Sequence, residues 1–176
     1  MDLLKEKMCM YAIIFIIIII VVYSIIQYNH FINLHNKVER SKSGIDIYLT
    51  QRFDLIPNLV ECVKQYADHE QEVFVSIAEN RARYFQTKNI KDGEIVNHQC
   101  NTILLQSENY PNLKADEQFL YLQKSLSKME NQLQAARRIY NIDVTNYNTS
   151  INTFPGVLIA SLFHFQEEPF FEMEEN

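Results

Sequence analysis

Hydrophobic positions along this chain change their rhythm once, near residue 27. From Met8 to Ile26 they form a run without a charge, in which Ser24 is the one formally polar residue. As a helix this run measures about 28 Å, close to the thickness of a hydrocarbon core. Its β-branched centre, Ile13 to Val22, would also suit a buried strand, but it does not alternate and has no sheet to enter. The pattern predicts a transmembrane helix over 8–26 behind a short tail, 1–7. A cleaved signal peptide is the rival reading, with Val22-Tyr23-Ser24 before the cut, although the run exceeds an ordinary signal core.

Beyond Ile26 the period becomes helical. Phe31, Val38 and Ile45 step by seven, with Leu34 and Tyr48 on the same face, and the seam continues through Leu55, Ile56, Leu59, Val60 and Val63. Pro57 removes one backbone donor, so it either kinks this arm or opens a new helix capped by Asp54. One long, bent arm is expected over 27–66. Asp68-His69-Glu70 reads as a turn, and a second helix carries Val73, Phe74, Ile77, Ala78, Arg81, Tyr84 and Phe85. Asn89 to Gly93 is the clearest loop signal, Ile95 to Ser107 a weaker helix, and Asn109-Tyr110-Pro111-Asn112 its end. From Asp116 a fourth helix places Phe119, Leu122, Leu126, Met129, Leu133, Ala136 and Tyr140 at alternating intervals of three and four. Its next core position falls on Asp143, after which Tyr147 resumes the seam.

The expected fold is therefore all-α: a transmembrane helix followed by an antiparallel bundle over 27–149, built from a long α-hairpin and two shorter helices. The outgoing arm measures about 60 Å, the short helices about 25 Å each and the returning helix about 50 Å, which brings the chain back near the bilayer. There it enters residues 150–176, first apolar and then acidic. The stretch from Phe154 to Phe165 is too short to span a membrane and too apolar to leave in water. It reads either as a lid over the bundle end or as an apolar foot on the membrane or on a membrane partner, with Phe154, Phe163, Phe165, Phe170 and Phe171 as its contacts.

Composition sharpens this picture. Three Gly and four Pro in 176 residues leave little turn chemistry for a β-rich fold. A net charge of -6 argues against a general nucleic-acid binder. Lys5 and Lys7 before the span nearly balance Lys37, Arg40 and Lys42 after it, the slight excess favouring a cytoplasmic bundle. Cys62 and Cys100 lack any metal or redox spacing, and Cys9 lacks a lipid-attachment pattern.

No reaction announces itself. Di-iron bundles use paired Glu-x-x-His motifs, which are absent; Glu94 with His98, and His69 with Glu70, have no second ligand pair. Val73 stands where a zinc-peptidase motif beginning at His69 needs its second His. Cys62 lies on an apolar face, and no Gly-rich phosphate cradle exists. Catalytic, cofactor and metal residues are thus none, and Arg81 with Arg83 reads as ordinary solvated charge. The informative polar set is Asp46, Arg52, Asp54, Asn58 and Glu61 on the outgoing arm, with Arg137, Arg138, Asn141 and Asn148 on the returning one. Such a set is either a hydrogen-bonded network that fixes helix register or a groove that grips a partner.

The segment from Ile45 to Glu61, IDIYLTQRFDLIPNLVE, resembles the LemA family of bacterial membrane proteins. Tyr66-Ala67-Asp68-His69-Glu70, Tyr110-Pro111-Asn112-Leu113-Lys114, Glu130-Asn131, Ala135-Ala136-Arg137-Arg138-Ile139-Tyr140-Asn141, Tyr147-Asn148, Phe154-Pro155 and Glu168-Pro169-Phe170-Phe171 follow in the family's order, so that the resemblance covers about 29–172. Lys42, where relatives often carry Trp, and residues 86–94 depart from it. The resemblance implies a short tail, one membrane helix and a bundle of long helices, with no established reaction. It also implies, through gene neighbourhood, a membrane metallopeptidase as partner and a part in envelope quality control. The resulting expectation is a non-enzymatic scaffold or adaptor; a structural or lipid-organising protein that self-associates through the Ile-rich span, and an undetected hydrolase or metal-dependent enzyme, are the alternatives.

Overall fold

The computed structural model describes residues 2–66 and 71–171. Helix α1, Asp2–Asp54, joins the predicted membrane span and most of the outgoing arm into one element, because no Pro, or Gly in a strained conformation, interrupts the chain between them. Then follow α2 (Ile56–Lys64), α3 (Gln71–Thr87), α4 (Ile90–Gln106), a 3₁₀ turn (Ser107–Asn109), α5 (Pro111–Lys114), α6 (Glu117–Asn152) and α7 (Gly156–Leu162). No strand occurs among the described residues. The fold is all-α, with the long apolar helix at the N-terminus and a bundle of long helices behind it. The turn expected at Asp68-His69-Glu70 lies outside the described residues, as do Glu172, Glu174 and Glu175.

Side chains from Tyr11 to Ile26 are unburied on every side, and the most apolar window of α1 is covered by no other part of the protein. A core helix would be covered; a helix apolar all round and uncovered is matched to lipid. This segment is the membrane span of a single-pass protein.

Two compact units form. One comprises residues up to Ser41 together with those from Ile139 onward; the other is Lys42–Arg138. In the first, α1 and α6 run antiparallel: the His35 and Tyr147 rings lie 5.5 Å apart, and Ile26, Gln27 and His30 face Ser150 to Gly156. Phe31, Val38, Val144, Tyr147, Ile151, Ile159 and Phe171 are buried. The core of α6 steps from Tyr140 to Val144, not to Asp143, which is partly exposed. An interval of four instead of three keeps the charge out of the core. Gly156 lets α7 approach α6, since a Cβ there would stand 2.7 Å from the Ser150 carbonyl oxygen.

The second unit packs the end of α1 with α2, α3, α4 and the first part of α6. Here Ile45, Leu49, Phe53, Ile56, Leu59, Ile77, Tyr84, Val96, Phe119, Leu126 and Leu133 are buried. The Asn89–Gly93 signal proved to be a helix start: the Asn89 side chain accepts from the Lys91 N–H, and α4 continues through Gly93. Gly93 is buried there, and a Cβ would come within 3.0 Å of both Leu49 and Tyr84. It is a packing glycine where α4 crosses α1, which local sequence reads as a turn.

Pro57 does open a new helix, but Asp54 does not cap it; the cap residue is Leu55, without a side-chain hydrogen bond. Asp54 instead accepts from Arg81. The start of α6 is capped by Asp116, whose carboxylate accepts from the Phe119 N–H at 2.9 Å.

Candidate functional site

The polar residues singled out on the two arms divide among three internally bonded environments, one open cleft and, for Arg138, the outward face of α6. Arg52 is the first. It lies on the inner face of α1, only 1% exposed, and its guanidinium pairs with Glu130 of α6 and donates to the Asn101 side chain of α4. Burial lowers its pKa from the ordinary arginine value, while Cys100 alongside raises it. A charge this deep is tolerated only because two other helices, α4 and α6, supply its partners. Arg137 is part-buried and lowers the Arg52 pKa further, whereas Arg138, its neighbour in the chain, faces outward.

The second environment is the contact of α1 with α3. Asp46 accepts from the Tyr84 hydroxyl and from Lys88, whose Nζ also reaches Thr50. Burial first, and then Asp46, push the Tyr84 phenol above its usual value. Lys88 has φ 51°, so the chain leaves α3 through a left-handed residue whose side chain is anchored on α1. Arg81, set aside as solvated charge, proves central. Its Nε donates to the Phe53 carbonyl at 2.8 Å and its guanidinium lies 3.3 Å from Asp54. In an uninterrupted helix the N–H of residue 57 would satisfy that carbonyl; residue 57 is Pro, and Arg81 supplies the missing donor. The signal was present in the sequence as an absent N–H, but only the fold shows which side chain answers it.

Asn58 and Glu61, on the outer face of α2, take no part in either cluster. With Cys62, Gln65, Glu117, Gln118, Tyr121 and Leu122 they line a cleft of 560 Å³ among the described residues. Beneath it Cys62 and Tyr66 direct their side chains to Asp116. The backbone N–H of Phe119 holds the Asp116 carboxyl below its ordinary value. Burial pushes the Cys62 thiol up, and Asp116 adds to this; Cys100 is likewise raised, by burial. Cys62 faces a carboxylate, and at Cys100 burial outweighs the neighbouring Arg52 guanidinium, so neither thiol is activated as a nucleophile.

The third environment is in the other unit. Asn141 and Asn148, seven residues apart on α6, each grip one residue of an extended strap over 165–171. The Asn141 amide donates to the Phe171 carbonyl at 3.0 Å and accepts from the Phe171 N–H at 2.8 Å. Asn148 does the same with Glu168, at 2.8 and 2.9 Å. Tyr140 donates to the Pro169 carbonyl, and the Glu168 carboxylate lies 3.5 Å from His35. These bonds go to backbone, so they fix the strap's register along α6 independently of its side chains. Burial raises the Tyr140 and Tyr147 phenols, with Glu168 adding to both.

The five phenylalanines expected to form one contact surface are separated by this arrangement. Phe171 is buried; Phe165 packs edge-on against Tyr28 and Phe31. Phe154, Phe163 and Phe170 remain exposed, although Phe163 also meets Tyr28.

No group of three or more His, Cys, Asp or Glu side chains is arranged to hold a metal among the described residues. His69 and Glu70 lie outside them. The internally paired charges, the backbone-gripping asparagines and the single apolar span are the frame in which the comparison with known proteins falls: residues 41–176 match the LemA family. The chain belongs to the LemA family. Among its relatives, the protein LemA of Metamycoplasma hominis is 23% identical over 84% of this chain and 69% of its own. Magnetosome protein MamQ 2 of Paramagnetospirillum magneticum and MamQ of Magnetospirillum gryphiswaldense are each 18% identical over 84% of this chain. This LemA-family chain spans 65% of the length of those magnetosome relatives.

Proposed function

We propose that this LemA-family protein is a non-enzymatic, membrane-anchored scaffold whose bundle receives a protein partner in the cleft between α2 and α6. The observation that carries the reading is the division of labour within the polar set. Arg52, Asp46, Asn141 and Asn148 are occupied by internal partners, whereas Asn58 and Glu61 are exposed beside Tyr121, Glu117 and Gln118. Two carboxylates and three amides in an open cleft fit a basic or amide-rich segment of another protein. Two relatives are named for a cellular structure, the magnetosome, rather than for a reaction, which supports an organising role. The excess of Lys37, Arg40 and Lys42 over Lys5 and Lys7 supports a cytoplasmic bundle. In this reading the partner is itself a membrane protein, a metallopeptidase being the candidate that the family resemblance suggests, and the process is envelope quality control.

The test is a photo-crosslinking amino acid placed at Tyr121 in the full-length protein in cells. One partner captured there in stoichiometric yield, and lost on Glu61→Arg with the melting temperature unchanged, is the expected result. Capture of copies of the same chain alone would replace the adaptor with a self-associating structural protein. No capture from Tyr121 would overturn the cleft as the partner site.

A further inference from the structure

The apolar helix α7 sits beside the point where α1 leaves its apolar run. Tyr28 meets Phe163 at 5.0 Å and Phe165 at 5.6 Å between ring centroids, and the Phe31 ring lies 3.2 Å from where a Gly156 Cβ would be. Tyr28 and Phe31 are only about 3 and 8 Å beyond Ile26 along the helix axis. If the 8–26 run fills the hydrocarbon core, this depth is the headgroup layer, which adds about 5–8 Å on each side.

The two faces of α7 are both apolar. Gly156, Ile159 and Ala160 are buried on the inner face. The outer face carries Leu158 and Leu162, 63% and 71% exposed, and Phe154 in the turn before α7 is 78% exposed. A short helix without a charge, apolar but for Ser161 and covered on one side only, has a second surface to bury. No Asp, Glu, Lys or Arg occurs from Phe154 to Gln166, and the first carboxylates beyond are turned to protein groups, Glu167 to Asn152 and Glu168 toward His35. The position of α7 is not adjustable: Gly156 seats its start against α6, and the strap behind it is fixed by Asn148 and Asn141.

We infer that the outer face of α7, with Phe154, lies in the headgroup–acyl boundary of the same bilayer that α1 spans, as an interfacial foot that fixes the depth and rotation of α1. The occupant is lipid, reached through continuity with the established membrane span, and the contact is apolar rather than charge-driven. It rests on the membrane span alone and is independent of the α2–α6 cleft.

The chain contains no Trp, so a single Trp reports its own surroundings. Leu158→Trp and Leu162→Trp variants of the full-length protein, reconstituted in phosphatidylcholine vesicles, are compared with Ile142→Trp, an exposed position on α6 about 15 Å along that helix from its Asn152 end. Lipids brominated near the headgroup end of the acyl chain should quench the two α7 reporters about twofold or more and leave Ile142→Trp bright, with the same result when phosphatidylglycerol is added. Quenching no greater than that of Ile142→Trp overturns the inference. A blue-shifted but unquenched α7 reporter also overturns it, because protein would then cover the face. Quenching that requires anionic lipid overturns the apolar contact. None of these outcomes depends on capture of a partner at Tyr121.

Discussion

Arg81→Met offers the sharpest test of how the second unit is held together. The substitution keeps the aliphatic stem but removes the Nε donor to the Phe53 carbonyl and the guanidinium beside Asp54. Losing a charged donor to a buried acceptor costs about 1.5–3 kcal/mol. The Asp54 pair is largely exposed and adds about 0–1 kcal/mol, and stacking on Phe85, 4.8 Å away, about 0.5–1 kcal/mol. The sum expected is about 2–5 kcal/mol, read as a shift of the denaturation midpoint of the full-length protein in mild detergent, followed by circular dichroism. Pro57 provides a second, stricter test. In a Pro57→Ala background residue 57 regains an N–H that satisfies the same carbonyl, so Arg81→Met should cost about 1–2 kcal/mol less there. If the cost is the same in both backgrounds to within about 0.5 kcal/mol, Arg81 is not the substitute for the proline's missing donor and the account fails.

Three further outcomes follow from the other environments. Glu130→Ala leaves the buried Arg52 without its carboxylate, and should destabilise the protein by about 3–5 kcal/mol in the same denaturation assay; a loss below about 1 kcal/mol would mean that water reaches the guanidinium. Asn148→Ala removes both bonds to Glu168, so amide hydrogen exchange at Glu168 and Phe171 should accelerate at least about tenfold, while exchange in α3 and α4 stays unchanged. Because the Phe119 N–H lowers the Asp116 pKa on folding, its stabilisation is complete above the unfolded value near 4 and disappears as the pH falls through the folded value. Asp116→Asn should therefore lower the melting temperature at neutral pH, and the gap to the unsubstituted protein should close as the pH falls through the lowered folded-state value; a gap independent of pH would refute the carboxylate's role.

How much of this was legible in the sequence can be judged residue by residue. The lipid-matched run, the helical period of Phe31, Val38 and Ile45, and the steps from Phe119 to Tyr140 all mark elements that appear in the structure, because period and run length depend only on local geometry. Gly93 and Asp143 misled, one as a turn and the other as a core position. A glycine signals a turn and a close helix crossing in the same way, and a period of 3.6 leaves the choice between a step of three and a step of four to the packing partner. Arg52 was visible as an important polar residue, but its partners Glu130 and Asn101 were not. They lie 78 and 49 positions away, a separation no local pattern encodes.

By itself, then, the sequence determined that this is an all-α protein with one membrane-crossing helix, and its motifs carried the family. Those properties follow from hydrophobic period, run length and the scarcity of Gly and Pro, which act within a few turns of chain. Only the tertiary structure decided which polar groups are spent internally, that Arg81 stands in for the N–H that Pro57 lacks, and that Asn141 and Asn148 bind the strap's backbone. Each is a pairing between distant segments, and its energy depends on burial and donor–acceptor geometry that exist only once the helices have packed.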